Sequence, residues 1–352
     1  MSMPTSDSRG GIILACVIVL AALTTTSAFV APRRLTDRSP LIPNGDATCK
    51  SDISQVDLKP DAEAAGFSLQ NAYFLATLSS IAYKTKSEAQ KIIQGKKKDG
   101  GLEYDHFHWF EPDPSVSNDR KVSDRSEDTE AFVAADNDVI VVVFRGSSEG
   151  SDWATNFDAI PAPTPAGWMV ENGAIHEGFN NGLATVWEAH GMIATIRMLY
   201  NEPGKKRKLF LAGHSLGGAL ATIAAARLVF EEDVHVAGMY TIGSPRVFNS
   251  AMAKCFDEKV NGGKPMKSKY FRARNNNDIV TRAPPYPIFE HVGTEVYFDR
   301  FGVINTTNPA DRVLGRLDAL TRLEFTDGIN DHAGDAYVKL FRRALIDSRL
   351  SV

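Results

Sequence analysis

The sequence predicts an α/β fold with a mostly parallel, doubly wound sheet and helices on both faces. Short apolar runs alternate along the chain with longer segments of helical periodicity, which is typical of strands alternating with helices. The run 139–144 is apolar throughout and rich in β-branched residues, as expected of a strand buried on both faces of a parallel sheet. In such folds, ligands bind at the carboxyl ends of the strands.

Apolar residues at helical spacing predict an amphipathic helix from Ser68 to Ile93. The almost wholly polar stretch 112–129 is predicted to be a surface loop. The other predicted elements are strands at 104–110, 131–134, 139–144, 208–212, 234–242, 268–274 and 295–298, and helices at 179–200, 217–230 and 332–346.

The composition is that of an ordinary globular protein, with 352 residues, 43% hydrophobic and 23% charged. A net charge of −4 gives no basic surface for nucleic acid. The segment 105–108 places two histidines on one strand face without a third ligand, so we expect neither a metal nor a cofactor. Cys16 lies in an apolar run, and Cys49 and Cys255 either form one disulfide or stay as thiols.

The N-terminus predicts entry into the secretory pathway. The apolar run from Ile12 to Leu23 is too short for an ordinary transmembrane helix and suits the core of a signal peptide. We expect residues 1–28 to be cleaved after Ala28, which leaves no predicted transmembrane span in the mature chain. A signal anchor or an apolar tail is the alternative, because Arg9 is the only basic residue before the run.

The segment after the cleavage site leaves two destinations open. Ser27-Ala28-Phe29-Val30-Ala31-Pro32 resembles the bipartite targeting junction of algae with secondary plastids, in which a Phe follows the signal cleavage site. Residues 29–64 are therefore predicted to be a linker or a transit segment, and secretion and plastid import stand as equal alternatives. One folded domain is predicted over 65–348.

A candidate nucleophile lies at the centre of the pentapeptide 213–217, Gly-His-Ser-Leu-Gly. The apolar run 209–212 precedes it and a helical pattern follows it, which is the strand–turn–helix context of a nucleophile elbow. A glycine two residues to either side of Ser215 allows the sharp, strained turn that exposes its hydroxyl. A serine hydroxyl is a poor nucleophile until a histidine takes its proton and a carboxylate orients that histidine.

The acid and the base are expected to follow Ser215 in that order along the chain. His235 comes too soon, inside a predicted buried strand. His332 is the first choice for the base and His291 the second. Asp278 is the candidate acid because it lies in a loop just past a predicted strand, although an aspartate without a role is also common there.

These motifs together resemble the class 3 (fungal-type) lipases of the α/β-hydrolase superfamily, over about residues 68–340. Phe248 departs from the family pattern, which has Gly there. The stretch 291–295 matches a segment before the family's catalytic histidine, which removes His291 as the base. The segments that carry the resemblance are 129–134, 141–147, 152–153, 176–179, 213–221, 241–247, 277–280 with 284–285, and 331–332.

The resemblance implies a serine carboxylic-ester hydrolase that works through an acyl-enzyme. In this implied mechanism, Ser215 attacks the ester carbonyl, His332 takes its proton, and Asp278 orients His332. The donors of the oxyanion hole are implied to be the backbone N–H of Leu216 and the backbone N–H of Ser147, with the Ser147 hydroxyl as a further candidate donor.

A short helical lid is implied over 148–167. Trp153, Phe157 and Ile160 fall at i, i+4 and i+7, which makes one apolar stripe on a short helix. That stripe either covers the serine in water and turns outward at a lipid surface or simply packs on the core.

The implied substrate is an acyl ester of a lipid, with triacylglycerol first. Phospholipid at its A1 position, galactolipid and feruloyl-type esters are alternatives that the same scaffold accommodates. A lipase-like binding or signalling protein without catalysis is the hypothesis from another class. The presence of all three triad residues favours the enzyme.

Overall fold

The computed structural model describes residues 59–112, 129–147, 159–188, 190–304 and 327–350. A central sheet of seven strands has the order β1-β2-β3-β6-β7-β10-β11. Two small antiparallel pairs, β4 with β5 and β8 with β9, lie outside it. The strands are β1 (His106–Phe110), β2 (Ala131–Ala135), β3 (Val139–Phe144), β4 (Pro161–Pro163), β5 (Ala174–His176), β6 (Lys208–His214), β7 (Val236–Ile242), β8 (Val260–Asn261), β9 (Lys264–Pro265), β10 (Tyr270–Asn275) and β11 (Thr294–Phe298).

The sheet is mostly parallel, as predicted. Only β1, β2 and β3 pair antiparallel, whereas β3, β6, β7, β10 and β11 run parallel to their neighbours. In the register, Gly213 at the end of β6 lies between Phe144 of β3 and Thr241 of β7. The carboxyl ends of these three strands therefore meet at one edge of the sheet, beside Ser215.

Helices cover both faces of the sheet, which confirms the doubly wound prediction. Along β6, Leu209 and Leu211 belong to one buried cluster, and Phe210 and Ala212 belong to the other. Helices α3 to α6 supply side chains to the first cluster, and α1, α2 and α8 to the second. The helices are α1 (Leu69–Ile81), α2 (Lys86–Gln94), α3 (Glu177–Trp187), α4 (Met192–Tyr200), α5 (Leu216–Phe230), α6 (Ser250–Glu258), α7 (Asp327–Asn330) and α8 (Gly334–Leu350).

Two predicted helices are each two helices. The stretch 68–93 breaks after α1 because Thr85 and Glu88 form a capping box, which begins α2. The stretch 179–200 breaks at Gly191, whose left-handed φ of 71° interrupts the helix before α4 begins. The prediction that the stretch 68–93 is amphipathic is also wrong for α1, because α1 is buried between the sheet and α8.

The remaining differences are local. Helix α6 was not predicted from the sequence, and the last helix begins at Gly334 rather than at His332. Within the described ranges, no helix is long and apolar enough to cross a membrane. Cys255 is a half-buried thiol. The predicted signal peptide, Cys49, linker residues 29–58 and loop residues 113–128 lie outside the described residues.

Candidate active site

Ser215 occupies a strained turn between β6 and α5. Its φ of 59° and ψ of −129° lie in a region that residues other than glycine rarely adopt. A Cβ atom at position 213 would overlap the carbonyl oxygen of Gly217, and one at position 217 would overlap that of Phe144. The two glycines of the elbow are therefore required by close backbone packing as well as by the turn.

The structure brings the three predicted triad side chains into one hydrogen-bonded chain. His332 Nε2 lies 2.9 Å from Ser215 Oγ, and His332 Nδ1 lies 3.0 Å from each carboxylate oxygen of Asp278. A carboxylate only accepts hydrogen bonds, so Nδ1 carries the proton and Nε2 is left to accept the hydroxyl proton of Ser215. All three side chains are buried, and the arrangement can deprotonate the serine.

Asp278 is held by two further donors. The backbone N–H of Val280 donates to Oδ1 at 2.9 Å, and the Tyr337 hydroxyl donates to Oδ2 at 2.5 Å. Burial and the charge of Asp278 raise the pKa of Tyr337 well above its usual value, so its hydroxyl stays protonated and remains a donor. The same hydroxyl accepts the backbone N–H of Asn275 at 2.9 Å. Sequence reasoning missed Tyr337, whose only signal is an aromatic residue on the buried face of the last helix.

A second aspartate joins the loop of the acid to the loop of the base. The Asp331 carboxylate accepts the backbone N–H of Asn277 at 3.0 Å and the Asn276 side-chain amide at 3.1 Å. The Asn275 side chain donates to the backbone carbonyl of Asp331 at 2.9 Å. The three consecutive asparagines before Asp278 thus position the acid relative to the base.

His214 packs beside the elbow in a fixed neutral form. Its Nε2–H donates to the backbone carbonyl of His332 at 2.7 Å, and its Nδ1 accepts the Tyr83 hydroxyl at 2.8 Å. Burial lowers the pKa of His214 to about 3, so it is not a proton-transfer group at neutral pH. Arg145 forms an ion pair with Glu130 and lies 5.7 Å from the Tyr83 ring, in a packing role.

One predicted oxyanion donor, Leu216, follows Ser215 in the chain, and the other, Ser147, lies just beyond the end of the neighbouring strand β3. Leu216 begins α5 directly after Ser215, where helix N–H groups are unpaired. Ser147 follows Gly146 at the end of β3, and a Cβ atom on Gly146 would lie 3.1 Å from Ser215 Cβ. The half-buried Ser147 is therefore a near neighbour of the nucleophile, and its donor role stays a prediction.

The predicted lid lies largely outside the described residues, including Trp153 and Phe157. Ile160 is described and is 51% exposed, but it lies directly before β4 and not in a helix. Prolines at 161 and 163 explain this difference, because a proline removes a backbone donor and disfavours helical geometry in the residue before it.

The other candidate histidines lie elsewhere. His291 is half-buried, and its Nε2–H donates to the Thr281 carbonyl at 2.7 Å. Burial and nearby arginines hold the pKa of His291 well below its usual value. His235 precedes β7, at the opposite edge of the sheet from Ser215. No three metal-ligating side chains come together in the part of the chain that the structure describes.

The fold and this buried Ser–His–Asp chain define the class of the domain as an α/β-hydrolase with a serine-hydrolase type of site. Residues 141–287 match the family model described as Lipase (class 3). Over this segment the domain is similar to the class 3 lipases of that superfamily.

Named relatives agree with this assignment. The chain is 33% identical over 175 residues to secreted mono- and diacylglycerol lipase 1 of Fusarium solani, covering 48% of this chain and 47% of the relative. It is 26% identical over 250 residues to the triacylglycerol lipase OBL1 of Ricinus communis, covering 56% and 46%. The chain thus spans about half the length of the curated relatives it matches.

A solved structure of the Rhizomucor miehei triacylglyceride lipase superposes with a TM-score of 0.53 at 26% identity. The match covers 74% of this chain and 90% of that structure. The similarity therefore extends over most of the solved lipase, well beyond the segment around the elbow.

Proposed function

We propose that this protein hydrolyses carboxylic esters of lipids through an acyl-enzyme intermediate. The observation that carries the proposal is the continuous hydrogen-bonded chain from Ser215 through His332 to Asp278. As Ser215 Oγ bonds to the ester carbonyl carbon, His332 Nε2 takes the hydroxyl proton and the carbonyl oxygen becomes an oxyanion. Collapse of this intermediate breaks the bond to the leaving alcohol, which receives the proton from His332. Water then repeats both steps on the acyl-serine, releases the acid and restores Ser215.

The surrounding groups match the charges that this reaction develops. Asp278 faces the imidazolium that forms at His332, and the donors from Val280 and Tyr337 hold the carboxylate in that orientation. We assign the oxyanion to the backbone N–H groups of Leu216 and Ser147. Each such donor is worth about 3–4 kcal/mol in acyl transfer.

A lipid ester is the proposed substrate class, with triacylglycerol first. The names of the relatives support it, since both are lipases of acylglycerols. Exposed apolar side chains support action at a lipid–water interface: Tyr286 is 68% exposed and Ile288 44% exposed, in the loop between the acid and β11. Ile160 is a third exposed apolar side chain. It precedes Pro161, which pairs with His176, and the His176 ring lies 5.3 Å from the ring of Phe289 in the same loop as Ile288.

Labelling of the full chain with a fluorophosphonate tests the catalytic assignment. The wild type should be labelled, Ser215→Ala should not, and Ser250→Ala, an exposed serine at the start of α6, should be labelled like the wild type. Equal labelling of the wild type and Ser215→Ala would refute the proposal.

Substrate class is tested by offering mixed triacylglycerol, phospholipid and galactolipid micelles and identifying the released acyl chains. We expect fatty acid from triacylglycerol first. Preferential release from phospholipid or galactolipid would move the assignment to those lipids. Release from none of these lipids, with hydrolysis of a feruloyl ester offered separately, would refute a lipid substrate.

We also propose that the chain enters the secretory pathway. One relative is named as secreted, and residues 1–28 carry the predicted signal peptide. The N-terminal sequence of the mature protein and the location of a fluorescent fusion separate secretion from plastid import. A mature chain that still begins with Met1 would contradict both.

A further inference from the structure

A cavity lies at the opposite edge of the sheet from Ser215. Its volume is about 200 Å³, and it is lined by residues at the amino ends of β6, β7 and β10. Lys208 opens β6 and lines the cavity, whereas Ser215 follows the other end of the same strand. At about 3.3 Å per residue, the strand separates the two positions by roughly 20 Å. The cavity is therefore distinct from the proposed active site.

The chain segment 59–66, here called the N-terminal strap, closes one side of this cavity. The backbone N–H of Asp61 donates to the side-chain oxygen of Asn71 at 2.6 Å, and the Asn71 amide donates back to the Asp61 carbonyl at 2.9 Å. Lys264 Nζ donates to the carbonyl of Ala65 at 3.0 Å. Since Asn71 is almost fully buried in α1, the strap is fixed to the domain and forms a wall of the cavity.

The cavity lining carries an excess of positive charge. Lys208, Lys264 and Lys269 line it, against one carboxylate, that of Glu63. Glu63 lies 3.0 Å from Lys208 but its side chain is 83% exposed, so it screens that ammonium only weakly. Lys269 is 6% exposed. Its ammonium donates to the backbone carbonyl of Val236 and to the backbone and side-chain oxygens of Asn261, and not to a carboxylate. Two positive charges are left without a carboxylate.

This charge excess perturbs the groups around it. Burial, together with the neighbouring Lys264, lowers the pKa of Lys269 to about 8. Burial, Lys269 and Lys208 likewise lower the pKa of His235, which also lines the cavity. A bound anion would relieve the mutual repulsion of the three lysines at once.

The other walls of the cavity are apolar. The buried rings of Phe210, Tyr240 and Phe271 line it together with Ala237. Gly238 keeps this side open, because a Cβ atom there would lie 2.9 Å from the ring of Phe210. An inorganic anion would leave these surfaces in contact with water, and a neutral lipid would leave the lysines uncompensated.

We propose that this cavity is a binding site for a small amphipathic anion, with one carboxylate or phosphate head on a short apolar stem. The head lies at Lys208 and Lys264, and the stem packs against Phe210 and Phe271. At about 30 Å³ for each water-sized group, the volume holds roughly seven such groups, which is close to a six-carbon acid. The site goes beyond the proposed hydrolase activity and does not require it.

Isothermal titration of the full chain with hexanoate and with hexyl phosphate tests the site, and the tighter ligand identifies the head. One equivalent should bind to the wild type and to Lys254→Gln, an exposed lysine of α6 outside the cavity. The double variant Lys208→Gln, Lys264→Gln should bind both ligands at least about tenfold more weakly, since two charged hydrogen-bond donors are lost. Hexanol and inorganic phosphate should bind much more weakly than either probe.

Far-UV circular dichroism and the thermal midpoint establish that the double variant is folded. Equal hexanoate affinity in all three proteins would overturn the proposal, because it would place the acid elsewhere, the active site included. Inorganic phosphate binding as tightly as hexyl phosphate would overturn the apolar part of the site. Absence of binding by both probes would overturn it altogether.

Discussion

Replacing Asp278 by Asn should inactivate the enzyme by moving one proton on His332. Three donors point at the two carboxylate oxygens: His332 Nδ1–H, the backbone N–H of Val280 and the Tyr337 hydroxyl. An amide of the same shape offers one oxygen and places an N–H₂ group where the other oxygen was. With the amide nitrogen facing the ring, His332 carries its proton on Nε2, which then cannot accept the proton of Ser215.

The expected loss in kcat is about 10⁴-fold, the cost of the wrong histidine tautomer in a serine triad, or roughly 5.5 kcal/mol of activation free energy. The assay is steady-state hydrolysis of a soluble p-nitrophenyl ester, with kcat and KM measured separately. KM should change little, because Asp278 is completely buried behind His332 and does not face the substrate.

Asp335→Asn is the matched control, because it makes the same chemical change at an exposed position in the first turn of α8. It should keep the wild-type rate. A folded Asp278→Asn protein that retains more than about a tenth of the wild-type kcat would refute the reasoning, since the expected loss is far larger. A loss expressed in KM alone would refute it as well.

Three further outcomes are expected. Tyr337→Phe removes a 2.5 Å hydrogen bond to Asp278 and should lower the free energy of unfolding by about 1.5–3 kcal/mol in urea titrations, with a lower kcat and an unchanged KM. Gly243→Ala should reduce kcat and lower the thermal midpoint, because Gly243 has a φ of +60° and its new Cβ would lie 2.9 Å from the ring of the base. Acid should destabilise the fold below pH 6.5, because the pKa of His214 (about 3) and that of His291 are lowered in the folded chain. The unfolded chain then binds protons at these two histidines that the folded chain does not bind. Each histidine should remove about 1.4 kcal/mol per pH unit, and His291→Gln should reduce the slope of unfolding free energy against pH.

The sheet could be predicted closely because each strand carries its own signal. Strand β3 is apolar at every position and is fully buried, and β2 lies within one residue of its predicted bounds. The helices were harder to divide. Apolar spacing continues through the break at Thr85 and through Gly191, whereas capping and a left-handed glycine decide where each helix ends.

The prediction of the lid failed at Ile160 for a similar reason. Apolar residues at i, i+4 and i+7 are compatible with a helix, but the prolines after Ile160 favour extended chain. Local backbone chemistry overrode the periodicity there. The proline signal was present in the sequence and outweighs a three-residue stripe.

The sequence by itself predicted the chemistry that is proposed for the domain. The elbow around Ser215 is a local pattern, since a nucleophile elbow needs its glycines and its strand–helix context within a few residues. The order of Asp278 and His332 after it can be read directly along the chain.

Only the tertiary structure decided how that chemistry is supported. Tyr83 and His214 meet across 131 residues, and Tyr337 reaches Asp278 across 59. The basic cavity likewise unites Lys208 and Lys264 with the strap. Such pairings leave no periodic trace in the sequence, because they depend on which strand ends and helix faces the fold brings together.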